Sequence, residues 1–106
     1  MNLIGMLVSQ SRGNSTIGAP IEVSFYEEGI IGQEVKFVKR KEIFRIKYTD
    51  VSSVEYHEPS LLSKGSLKVH LRGMNDYKKY LDFSVSKRDA ELCVRIRDHI
   101  NSIVSF

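Results

Sequence analysis

The chain predicts a mainly β fold, about seven short antiparallel strands followed by one C-terminal amphipathic helix. Three observations lead there. Between residues 18 and 85 apolar and polar side chains alternate with a period of two, the pattern of strands that bury one face and wet the other. Turn-forming residues divide that stretch at intervals of about 8–12 residues, the spacing of a small barrel or sandwich. After residue 85 the apolar spacing becomes that of a helix.

Residues 1–8 form a short first strand. Residues 9–18 are rich in Ser, Gly, Asn and Thr, which favour turns through their side-chain hydrogen bonds or backbone freedom, and read as a loop. Pro20 opens a strand in which Ile21, Val23 and Phe25 alternate with Glu22 and Ser24. Glu27, Glu28 and Gly29 make a tight turn, and Ile30 and Ile31 begin the return strand, which Gly32 is expected to bend at a bulge. Val35 to Val38 continue that strand, and Lys39, Arg40 and Lys41 form an exposed hairpin tip. Phe44, Ile46 and Tyr48 then share a face different from that of Arg45 and Lys47, before Thr49 and Asp50 interrupt with a short turn.

Val54 to His57 is again extended. Residues 58–64 contain Pro59, Ser60 and Ser63 and form a loop despite Leu61 and Leu62. Leu67, Val69 and Leu71 alternate with Lys68 and His70, residues 73–76 turn the chain, and Tyr80 to Val85 return it. Ser86 is expected to cap the helix by accepting an unpaired first-turn N–H, with Asp89 as a short capping-box acid. Cys93, Ile96, Ile100 and Ile103 fall at helical spacing, widened by Leu92 and Val104, while Lys87, Arg88, Glu91, Arg95, Arg97 and Asp98 lie mainly on the other faces. Each such apolar side chain contributes about 1.5–3 kcal/mol once buried, enough together to hold the helix against a sheet.

With 106 residues the chain supports one domain with one core: residues 1–17 as strand and loop, 18–85 as a strand meander and 86–104 as the capping helix. Hydrophobic content of 42% and charged content of 27% are those of a globular protein, and no apolar run approaches the roughly 20 residues that span a bilayer. Residues 1–8 lack the basic start, the long apolar centre and the small-residue cleavage site of a signal peptide. The single Cys93 excludes an internal disulfide framework and points to a reduced, cytoplasmic setting. The net charge of +3 is mild, compatible with attraction to a polyanion and equally with ordinary solubilising charge.

A family resemblance rests on the order of several packing motifs. Residues 46–54, Ile-Lys-Tyr-Thr-Asp-Val-Ser-Ser-Val, pass from a strand ending in an aromatic, through a polar turn, to two aliphatics three apart, Val51 and Val54. Downstream come the glycine-led strand Gly65-Ser-Leu67-Lys-Val69 and Phe83 in the last strand. Upstream, Ile21, Val23, Phe25 and the Glu28–Gly29 turn make an opening hairpin. Over residues 18–104 this order resembles that of bacterial pleckstrin-homology-like (PH-like) domains. The resemblance implies a small antiparallel barrel of about seven strands, stoppered by the C-terminal helix.

Candidate binding residues are few. Lys36, Lys39, Arg40, Lys41, Arg45 and Lys47 outnumber Glu34 and Glu42 over one hairpin. Alternation puts Lys39 and Lys41 on one side and Arg40 at the tip or opposite. The cluster reads either as an anion-binding patch or as a solvated edge whose lysines discourage strand addition. Leu61 and Leu62 are the best candidates for an exposed apolar contact. Tyr77 and Tyr80, interleaved with Arg72, Lys78 and Lys79, suit base stacking on single-stranded nucleic acid or an ordinary strand with one tyrosine in the core, and nucleic acid is the less favoured partner.

No chemistry stands out. His57, His70 and His99 lack metal-ligand spacing, Cys93 sits on the apolar helix stripe, and no serine lies in a nucleophile elbow. No glycine run resembles a phosphate-cradling loop, and no cofactor is implied. The expectation is a non-enzymatic binding module. It acts through protein–protein or self-association contacts at a sheet edge and adjoining loops, with residues 39–41, Leu61 and Leu62 as contacts. The alternative is peripheral binding to anionic lipid or another polyanion through Lys36, Lys39, Arg40, Lys41 and Lys64.

Overall fold

The computed structural model describes residues 2–9, 21–36, 39–72 and 80–104. Among them are seven strands in two antiparallel sheets, of four and three strands, and one C-terminal helix. The expected mainly β composition with one C-terminal helix is therefore observed. The described strands hydrogen-bond as two separate sheets, not as one closed cylinder. The chain forms two compact units, Met1–Ile46 and Lys47–Phe106.

In the first unit the strands are β1 (Leu3–Ser9), β2 (Ile21–Tyr26), β3 (Gly29–Lys36) and β4 (Lys39–Lys47, whose last residue begins the second unit), in the order β1-β2-β3-β4. The register places Leu7 opposite Val23 and Phe25 opposite Ile30, so one face carries four buried apolar side chains. A bulge changes β1. Leu3 pairs with Tyr26 and Gly5 with Phe25, leaving Ile4 as the extra residue. As a result Leu3, Met6 and Val8, opposite Tyr26, Ser24 and Glu22, share the other face, although their spacing is not a strict alternation.

Gly32 does not bend β3. The β2–β3 register runs unbroken through Val23 and Gly32, and the glycine serves packing instead: a Cβ there would lie 2.3 Å from the ring of Phe44. Lys39, Arg40 and Lys41 are the first residues of β4 and not a hairpin tip. Residues 37 and 38, the expected end of the preceding strand, lie outside the described residues, as do the turn at 73–76, the loop at 10–18 and Tyr77, Lys78 and Lys79.

The second unit opens with a 3-10 turn, Tyr48–Asp50, followed by β5 (Val51–His57), β6 (Gly65–Leu71) and β7 (Tyr80–Val85) in sequential order. A second bulge explains the aliphatic pair three apart. Val51 pairs with Leu71 and Ser53 with His70, so Ser52 is extra, and its hydroxyl donates to the His70 carbonyl at 3.3 Å. Val51 and Val54 therefore face the same way, alongside Leu67, Val69, Phe83 and Val85. Helix α1 (Ala90–Val104) lies against β5 and buries Cys93, Ile96 and Ile100.

The helix start differs from the expected cap. A 3-10 turn, Lys87–Asp89, precedes α1, and the Ser86 hydroxyl donates to the Asp89 carboxylate at 3.4 Å. The first-turn bond is backbone to backbone, from the Asp89 N–H to the Ser86 carbonyl at 3.0 Å. Ser86 thus acts through its main chain. No helix among the described residues is long and apolar enough to cross a membrane.

Candidate functional site

Among the described residues, the turn between β5 and β6 carries the most exposed large aliphatic side chains of the second unit. Leu61 is 87% exposed and Leu62 96%. Their backbone is held from within. The Ser60 hydroxyl oxygen accepts the N–H groups of Leu62 and Ser63 at 3.3 and 3.2 Å, the two serine hydroxyls lie 3.1 Å apart, and the Ser60 N–H donates to the Ser63 carbonyl at 2.9 Å. Ser60 at the start of a tight turn bonds the residues that follow it, the local preference that makes serine a turn former. The turn, with Ser86 and Lys87, lines an open cavity of about 350 Å³. Lys64 and Lys87 both line it, and among the described residues no acidic side chain does.

The basic hairpin of the first unit is partly neutralised. Arg40 is ion-paired with Glu22 on β2, and Arg45 with Glu42 at 2.8 Å. The Arg45 hydrogen bonds hold the Glu42 carboxyl below its usual range, while Glu42 raises Arg45 in return. Lys39 and Lys41 are exposed, and the Lys36 side chain lies outside the described residues. Of the five expected anion contacts, Arg40 is thus already matched by an acid, and Lys64 belongs to the second unit with the leucine turn.

Two histidines far apart in sequence flank one carboxylate on the β5–β6 pair. Glu55 accepts at 2.8 Å from His70 and lies 3.9 Å from His57. Antiparallel pairing brings them together, a relation the linear spacing hides. Among the described residues no three His, Cys, Asp or Glu side chains are arranged to hold a metal ion. His99 is half-buried on α1, its ring edge-on to that of buried Tyr48 at 5.6 Å. Arg72 donates to the Val51 carbonyl at 3.3 Å.

Cys93 is fully buried, and burial, with the nearby Asp89 charge, pushes its thiol up to about 11. Such a thiol is neutral at physiological pH and a poor nucleophile. Beside it the Tyr56 hydroxyl is buried with no hydrogen-bond partner among the described residues, and its pKa is raised chiefly by burial and secondarily by Cys93. Arg97 lies 5.5 Å above the Tyr56 ring. This cluster predicts alkaline sensitivity. Unfolded, the thiol ionises near 9.0, whereas folded it keeps its proton to about 11. Stability is therefore full below pH 9 and falls by on the order of 2 kcal/mol as pH rises to 11. Urea unfolding at those two pH values should show this loss in the wild type and less of it in Cys93→Ala. Equal losses would remove Cys93 as its source.

The surface that sequence reasoning left unassigned is β1. Leu3 and Val8 are each 56% exposed and Met6 43%, all on one face of a strand that is outermost among the described residues and carries no charge and no proline. The absence of charge between residues 3 and 9 was the available signal. Compared with known protein families, with curated proteins and with solved structures, the chain shows no match.

Proposed function

We propose that the chain is a non-enzymatic, PH-like interaction module that binds protein partners, a second copy of itself foremost, by strand addition at β1. The observation that carries this reading is the character of β1. Outer strands normally carry lysine, proline or inward charges that prevent pairing with another chain. Leu-Ile-Gly-Met-Leu-Val-Ser has none of these, and among the described residues it pairs with β2 alone. Antiparallel addition of a second β1 is self-complementary, as a two-fold interface requires. It would extend the sheet and set Leu3, Met6 and Val8 beside the same side chains of the second copy, burying their flanks.

The succession of four strands, three strands and a helix supports the PH-like scaffold, and the buried, neutral Cys93 supports a binding role over nucleophilic chemistry. The Arg40–Glu22 and Arg45–Glu42 pairs weigh against the basic hairpin as a polyanion site. Light scattering behind size exclusion should give a mass above the 12.1 kDa of one chain, rising with concentration. Met6→Lys and Val8→Lys should each weaken association by about tenfold or more, since each places a charge where an apolar side chain would be buried. A wild type that keeps the mass of a single chain at every concentration rules out self-association.

A further inference from the structure

We propose that the β5–β6 turn is a membrane-docking finger that inserts Leu61 and Leu62 into the interfacial layer of an anionic bilayer while Lys64 and Lys87 hold lipid phosphates. This surface lies in the second unit and is distinct from strand addition at β1.

Three features favour a bilayer over a protein pocket. The leucines are nearly fully exposed, 87% and 96%, on a tip of very few residues, which suits insertion into a fluid layer better than the broad packed surface of a stable protein contact. The tip also carries its own hydrogen bonds. Entering an apolar layer is costly for backbone groups that lose water, and the N–H groups of Ser60, Leu62 and Ser63 all have acceptors inside the turn. Finally, Lys64 and Lys87 both line the cavity behind the tip, and among the described residues no carboxylate lines it, although Asp89 accepts from the Ser86 hydroxyl at its edge. Apolar insertion and electrostatic attraction are each weak alone and together give reversible peripheral binding.

Co-sedimentation with vesicles tests this. Vesicles of equal parts phosphatidylcholine and phosphatidylserine should sediment the wild-type chain, and phosphatidylcholine alone should bind it about tenfold or more weakly, with binding falling as salt screens the lysines. Leu61→Ser combined with Leu62→Ser should lower affinity at least about a hundredfold. Lys64→Gln and Lys87→Gln should each lower it roughly fivefold. The substituted side chains are at the surface, so melting temperatures close to wild type are expected and are measured alongside. Equal binding to both vesicle types, or leucine variants that sediment as the wild type does, overturns the proposal. Loss of self-association in lipid-free light scattering by the leucine variants, with vesicle binding unchanged, assigns the turn to protein contact and overturns it too. The β1 variants should leave vesicle binding intact, so failure here and failure of the strand-addition reading are separately visible.

Discussion

Gly65→Ala is expected to destabilise the chain by about 3 kcal/mol or more and to lower its melting temperature by on the order of 15 °C. Gly65 is the buried first residue of β6, paired with Val85, where the leucine turn ends and the chain returns beside the end of β5. A Cβ built on it would lie 2.1 Å from the His57 carbonyl oxygen and 2.7 Å from the Pro59 nitrogen. Those atoms are backbone, fixed by strand pairing and by the proline ring, so they cannot move aside without breaking the end of β5. Gly32→Ala makes the useful comparison. Its nearest atoms, 2.3 Å away, are the outer ring carbons of Phe44, which can swing. The cost there should be nearer 1–2 kcal/mol, about that of an overpacked but adjustable site. Thermal or urea unfolding of both variants measures the difference, and a Gly65→Ala protein as stable as the wild type would refute the backbone account of this glycine.

Ile96→Ala should cost about 3 kcal/mol, within the range for emptying a fully buried aliphatic site. Ile96 lies at the middle of the buried stripe Cys93, Ile96 and Ile100, where α1 packs against β5. Truncation there leaves a void walled by a helix and a sheet that resist collapse. Ile103→Ala, at a half-buried position near the helix end, should cost less than about 1 kcal/mol, because its site is already partly wet. Urea unfolding should show a lower midpoint with an unchanged slope for Ile96→Ala, the mark of lost native stability. Equal effects at the two positions would mean that the helix is not seated by its central stripe.

Strand and helix types were legible because they depend on local period. Ile21, Val23 and Phe25 alternate, and Cys93, Ile96 and Ile100 recur at helical spacing; each pattern leads to a buried face whatever the partner. Leu61 and Leu62 were legible as loop residues because Pro59 and the serines oppose a strand there. What the turn does with its hydrogen bonds was not: Ser60 holds its own turn, while Ser86, of the same residue type, donates to a carboxylate and leaves capping to the main chain. A hydroxyl has several partners in reach, and the local fold selects among them. The partial neutralisation of the basic hairpin was hidden for a related reason. Glu22 is distant from Arg40 in sequence and adjacent only once β2 and β4 flank β3.

The amino-acid order by itself determined where the chain extends, turns and coils, since propensity and period act over a few neighbouring residues. Three-dimensional pairing decided which face each residue joins. An extra residue at Ile4 sends Leu3 outward with Met6 and Val8, and an extra residue at Ser52 turns Val51 inward with Val54. A bulge is set by the register between two strands, and register is a property of the pair that neither strand carries alone.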